Sequence, residues 1–215
     1  MRIKPRPLAS PESGTALSGE ASAKRGVGVR FRKVTSVSDQ EHKVINGIDL
    51  DAFQSALELV GAQPAAKHAP KASRVRWLNG LKFKAMVRNH TFMVDEPAHL
   101  TGEDTSPNSV EYVLGAYGAC LATGFVMNAS KQGITIRNLE VSLQSTQNNV
   151  FTFLGLEPAT EGHPGFEEIT AKLFVQANAD EASLRQIWAD TIATSPVHNI
   201  LTRNATIKPE VDIIP

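Results

Sequence analysis

The chain carries a single thiol, Cys120, and six histidines at positions 42, 68, 90, 99, 163 and 198. One cysteine excludes an internal disulfide, an internal dithiol couple and the paired-thiolate zinc motifs. Two uses stay open for it: burial as a small apolar residue, or nucleophilic chemistry as the thiolate. The histidines include no pair four apart on one helix face, so no metal site is expected. No glycine-rich phosphate loop stands between a strand and a helix, so no nucleotide cofactor is expected either. Cys120, His198 and an acid could in principle form a hydrolase triad, but nothing local to them supports one.

The element that must hold the thiol is PNSVEYVLGAYGACLATGFVMNASKQG, residues 107–133. Asn108, with Glu111 three residues on, forms a capping box, and Val110, Val113, Leu114, Tyr117, Leu121 and Phe125 recur on one helical face. Lys131 and Gly133 mark the end. Gly115, Gly118 and Gly124 each cost about 1 kcal/mol against Ala inside a helix. Close approach of another backbone is expected to offset that cost. Cys120 lies about three turns from the helix start, beyond the reach of the helix dipole, so a reactive thiolate there needs a cation nearby. On periodicity alone Cys120 reads as a packed core residue.

Around this helix the pattern is of strands and further helices. Residues 74–97 contain the hairpin signal Asn79-Gly80 and a second reversal at Arg88-Asn89-His90, which predicts three antiparallel strands before a polar loop. Residues 134–147 alternate as a strand. An irregular excursion over 148–165 leads to a strand near 167–177, and Asp180 then caps a helix with Leu184, Ile187, Trp188 and Ile192 facing inward. Ser195-Pro196 opens a short helix, and RNATIKPEVDI reads as a final strand. Before all this, Asn46-Gly47 signals a turn. Asp49 caps a helix to Val60, closed by Gly61, with Leu50, Phe53, Leu57 and Val60 on one face and a Pro- and Ala-rich linker behind it.

The 215 residues hold 22 basic and 22 acidic side chains. That balance argues against a nucleic-acid binder. It conceals an asymmetry, because residues 1–33 carry eight basic and two acidic groups, net +6, and the remainder is therefore −6. Residues 1–44 are expected to be a solvated basic tail, 45–73 a helix and linker, and 74–215 the main domain. No run approaches the roughly 18 apolar residues of a membrane helix, and the N-terminus lacks the apolar stretch of a secretory signal. A soluble, cytoplasmic protein is expected, with no membrane or nucleic-acid partner.

Taken together, DEP, GEDTSPNSVEYVLGAYGACL and, some 75 residues later, TSPVHNILTR resemble the OsmC/Ohr family of osmotically induced and organic hydroperoxide resistance proteins. The resemblance covers roughly residues 74–213; residues 46–61 with RWLNG resemble a longer bacterial subgroup. It implies an α+β fold in which curved antiparallel sheets wrap paired central helices and two chains intertwine as a homodimer. It implies no cofactor. It further implies that a thiolate at Cys120 attacks an organic hydroperoxide and becomes a sulfenic acid, with an Arg and a Glu nearby. In such members a second cysteine then closes a disulfide that dithiols reduce.

Here the second cysteine's position is Ser195. The carboxylate carried over by the resemblance is Glu111, nine residues before Cys120, whereas hydroperoxide-resistance members place theirs ten before, at Val110. The activating Arg aligns with Leu78, leaving Arg76 and Arg88 as substitutes. Two readings follow. In one, Cys120 and Glu111 serve a one-cysteine peroxidase reduced by an external small thiol or dithiol. In the other, the dimer is non-catalytic and binds an apolar small molecule or a partner, with Cys120 structural.

Overall fold

The structure, a computed structural model, describes residues 43–214. The expected basic tail lies almost wholly outside them. The chain opens with β1 (Val44–Ile45) and β2 (Ile48–Asp49), joined by Asn46-Gly47. Both turn residues have positive φ, 53° and 77°, which an Asn-Gly pair adopts at little cost. Asp49 caps α1 (Leu50–Gly61) by accepting from the N–H groups of Asp51 and Ala52. The helix runs through Gly61 and ends on Ala62, which stays right-handed, so Gly61 is not its stop signal. Leu50 and Phe53 are half-buried, while Leu57 and Val60 are exposed.

Asn46 fastens this N-terminal piece. Its Nδ2 donates to Ser130 Oγ and to the Ile134 carbonyl, both at 2.9 Å, and its Oδ1 accepts from the Ile136 N–H at 2.8 Å. One side chain thereby satisfies groups at a helix end and at a strand start that would otherwise need water.

A three-stranded antiparallel sheet follows: β3 (Arg74–Asn79), β4 (Lys82–Val87) and β5 (His90–Val94), in that order. Its reversals fall where the dipeptides predict, with Gly80 and Arg88 at positive φ. β3 is exposed along its whole length, and Ala85 on β4 is buried. The next long element, α2 (Ser109–Lys131), joins this sheet through Tyr112, whose hydroxyl donates to the Met93 carbonyl at 2.7 Å. The Tyr112 ring centroid lies 4.9 Å from that of Phe92.

After α2 come β6 (Ile136–Gln147), the short α3 (Val150–Phe153) within the excursion, β7 (Phe166–Ala177), α4 (Glu181–Thr194) and α5 (Pro196–Thr202). β6 and β7 pair antiparallel along their length, and α2 packs on β6 and α4. Phe125, Ala129 and Ile187 have no solvent exposure, and Leu139, Leu173, Val175 and Trp188 pack around them. Burying a Phe or Ile side chain stabilises by about 1.5 to 3 kcal/mol, so this junction anchors the domain. The mixture of helices with antiparallel sheets is α+β.

Two of the three glycines lie against a second helix or the sheet, but the close neighbours there are side chains and not the expected backbone. A Cβ at Gly124 would meet Thr191 Cγ2 at 2.9 Å, and one at Gly118 would meet Leu143 Cδ1 at 3.2 Å. At Gly115 nothing lies within 4 Å. The neighbours are side chains of α4 and β6. Within one chain only the later part of the apolar face is covered: Tyr117, Leu121 and Phe125 are buried, whereas Val110 and Val113 are exposed.

α2 is long and apolar enough by length and composition to cross a membrane. Its polar capping box and its packing on β6 and α4 make it the central helix of the domain. The final strand expected over residues 203–213 does not form. A strand needs a neighbour to complete its ladder, and among the described residues none pairs with this segment. Ile207, Val211 and Ile213 nevertheless alternate along it, each more than 80% exposed.

Candidate active site

The site begins with the loop that aims α2. Asp95 is 1% exposed, and its carboxylate accepts from the N–H groups of Glu96, Glu103 and Thr105 and from Thr105 Oγ1, the last at 2.8 Å. Burial pushes its carboxyl upward, but the Thr105, Glu96 and Glu103 hydrogen bonds outweigh it and hold it below the usual carboxylate range. Lys82 stands 3.9 Å away and also pairs with Glu103. This folded loop delivers Pro107 and Asn108 to the helix start.

There the capping box closes as its residues predict. Asn108 Oδ1 accepts from the Glu111 N–H at 2.9 Å, and Glu111 Oε2 accepts from the Asn108 N–H at 2.8 Å. Glu111 is exposed. Nine residues are two and a half helical turns, so Glu111 and Cys120 project from opposite faces about 13 Å apart along the axis. Within one chain the Glu111 carboxylate serves the cap.

Cys120 is half-buried, which corrects the expectation of a fully packed core thiol. Its Sγ lies 3.3 Å from Ser195 Oγ, across the packing of α2 against the α4–α5 junction. Ser195 is 4% exposed and caps α5, its Oγ accepting from the His198 N–H at 3.2 Å. Pro196 follows at the first helical position, where its missing N–H costs nothing. Arg76 sits in exposed β3 opposite Lys84, Arg88 occupies the β4–β5 turn, and Leu78 is exposed on β3. The hydrogen bond described for Sγ is to Ser195 alone.

Sequence reasoning missed a second pair. The Tyr117 hydroxyl and His198 Nδ1 are 2.8 Å apart, and together they line a cavity of about 350 Å³ with Phe166, Ile169 and Leu201. Burial and then the negative charge of a Cys120 thiolate push the Tyr117 hydroxyl above its usual value. The signal was present in the spacing. Tyr117 precedes Cys120 by three residues and His198 follows Ser195 by three, so when Cys120 meets Ser195 their helical neighbours can meet as well.

A half-buried thiol on a central helix of an α+β domain, facing a capped serine across a helix junction, defines a domain built around one cysteine. A model of the family described as OsmC-like protein matches residues 102–210, half of the chain, and the chain belongs to that family. Among solved structures, an OsmC-like protein from Mycoplasma pneumoniae is similar at a TM-score of 0.53 and 17% identity, covering 62% of this chain and 87% of that one. An OsmC-like protein of unknown function from Vibrio cholerae is similar at a TM-score of 0.52 and 9% identity, covering 62% of this chain and 94% of that one. At these identities the likeness concerns the fold. No curated protein matches the chain.

Proposed function

We propose that the protein is a one-cysteine, thiol-dependent reductase of organic hydroperoxides with a stress-protective role. The observation that carries this reading is the placement of Cys120 Sγ, half-buried and 3.3 Å from the hydroxyl at the position where the family resemblance places a resolving cysteine. The thiolate attacks the terminal peroxide oxygen. An S–O bond forms, the O–O bond breaks, the alkoxide leaves and takes a proton, and sulfur is oxidised by two electrons as the peroxide is reduced. With serine at position 195 no internal disulfide can follow. An external thiol condenses with the sulfenic acid to release water, and a second thiol frees Cys120 from the mixed disulfide.

The working unit in this reading is a homodimer. Val75 and Trp77 on β3 are more than 60% exposed, and Gly115 faces open space on the helix that carries the thiol. A second chain would cover both. If Glu111 acts as a catalytic carboxylate, it acts on the partner's thiol, because within its own chain it points away.

The commitment of Glu111 to the cap and the absence of a guanidinium bonded to Cys120 among the described residues favour a second reading. In it the fold is a non-catalytic binder of an apolar small molecule. Steady-state reduction of cumene hydroperoxide with dihydrolipoamide or a monothiol separates the two. Turnover that is lost in Cys120→Ser supports the peroxidase. Turnover equal in the parent and in Cys120→Ser refutes it.

A further inference from the structure

The hydroxyl of Ser195 has one hydrogen to donate, and Cys120 Sγ is a neighbour that can take it. Ser195 Oγ already accepts the His198 N–H at 3.2 Å as the cap of α5. With one lone pair engaged by that N–H, the O–H is still available to donate, and Cys120 Sγ is 3.3 Å away, a contact in which either group can be the donor. The group is 4% exposed, which limits competition from water. Its orientation is fixed from several sides. The His198 ring is tied to Tyr117 by the 2.8 Å contact, and Asn199 Nδ2 donates to the Ser195 carbonyl at 2.9 Å. The α4–α5 junction is thereby held against α2.

We propose that Ser195 is a positioning residue whose hydroxyl donates a hydrogen bond to Cys120 Sγ and orients the sulfur for attack. The serine thus does more than occupy a resolving cysteine's place. It supplies a hydrogen bond to the nucleophile in a chain that offers Cys120 no described cation. The inference concerns the site of the proposed peroxidase and rests on that reading for its role in turnover, but the hydrogen bond can be measured without any peroxide.

The test is the rate of Cys120 alkylation by iodoacetamide in the full-length protein at one fixed pH. A hydrogen bond to a charged acceptor is worth about tenfold. Ser195→Ala is expected to slow alkylation roughly tenfold. Ser195→Thr, which keeps the hydroxyl, is expected to restore the parent rate. Loss of the α5 cap alone lowers stability and, by loosening the junction, speeds alkylation instead of slowing it. If Ser195→Ala fails to fold, Ser195→Thr and Ser195→Val form a pair of matched bulk that differs in the hydroxyl. An unchanged or faster rate in the hydroxyl-free variants overturns the inference. A slower rate in a protein that reduces no hydroperoxide upholds the hydrogen bond and removes the peroxidase reading.

Discussion

Ser195→Cys turns the 3.3 Å contact into a disulfide test. Closing that separation to an S–S bond of about 2.05 Å asks for roughly 1.3 Å of movement, within the reach of two side chains at a helix junction. The two positions are 75 residues apart. The chain-entropy relation for a loop of that length gives about 4.5 kcal/mol of stabilisation. Losing the serine cap of α5 subtracts about 1 kcal/mol, and modest strain takes the net to roughly 3 kcal/mol. For a chain of this size that is a rise of roughly 6 to 12 °C in melting temperature on oxidation. The assay pairs non-reducing mass spectrometry, which should show the loss of two hydrogen atoms to the added oxidant, with melts of the oxidised and reduced variant. The oxidised variant should also turn over on dithiols where the parent needs two external thiols. Two cysteines that stay titratable after oxidant treatment would refute the placement of Cys120 against the α4–α5 junction, and with it the chemistry built on that contact.

Two further outcomes test the scaffold. Gly124→Ala gains about 1 kcal/mol of helix propensity but drives a methyl against Thr191, which is 1% exposed and stiff because it is β-branched. Overpacking of this kind costs about 1 to 3 kcal/mol, so chemical denaturation should show a net loss near 1 kcal/mol; a more stable variant would contradict the packing of α2 on α4. The depressed Asp95 carboxyl contributes stability that is fully present above the unfolded value of about 3.9 and is lost as pH falls through its lower folded value. Asp95→Asn should therefore be less stable than the parent at neutral pH and should flatten the acid limb of the stability profile. Parallel acid limbs for the two proteins would assign the acid transition to other groups.

Much of this was legible in the sequence because it is local. The Asn108–Glu111 box, the Asp49, Asp180 and Ser195 caps and the Asn-Gly reversals each need only a few neighbouring residues. What was not legible depends on distant chain meeting in space. The Asn46 clamp joins positions more than 80 apart, and the Tyr117–His198 contact joins positions 81 apart. Cys120 and Glu111 came from one motif, yet the same helix that fixes both separates them by half a rotation. The final strand failed for a different reason: its alternation is genuine, but a ladder is a property of two strands and the sequence of one states only that it is ready to pair.

The excursion between β6 and β7 is hung from the sheet by three amide side chains, Gln147, Asn148 and Asn149. The ladder closes at Gln147 opposite Phe166, and beyond it Asn148 and Asn149 pair with Gly165 and His163 while their side chains hold the rest of the loop. Residues 148–165 thus lie outside the β6–β7 ladder and grow from the strand end that borders the Tyr117 and His198 cavity. The helix that carries the thiol packs on β6 and α4, so the loop and the thiol are held by separate sets of contacts.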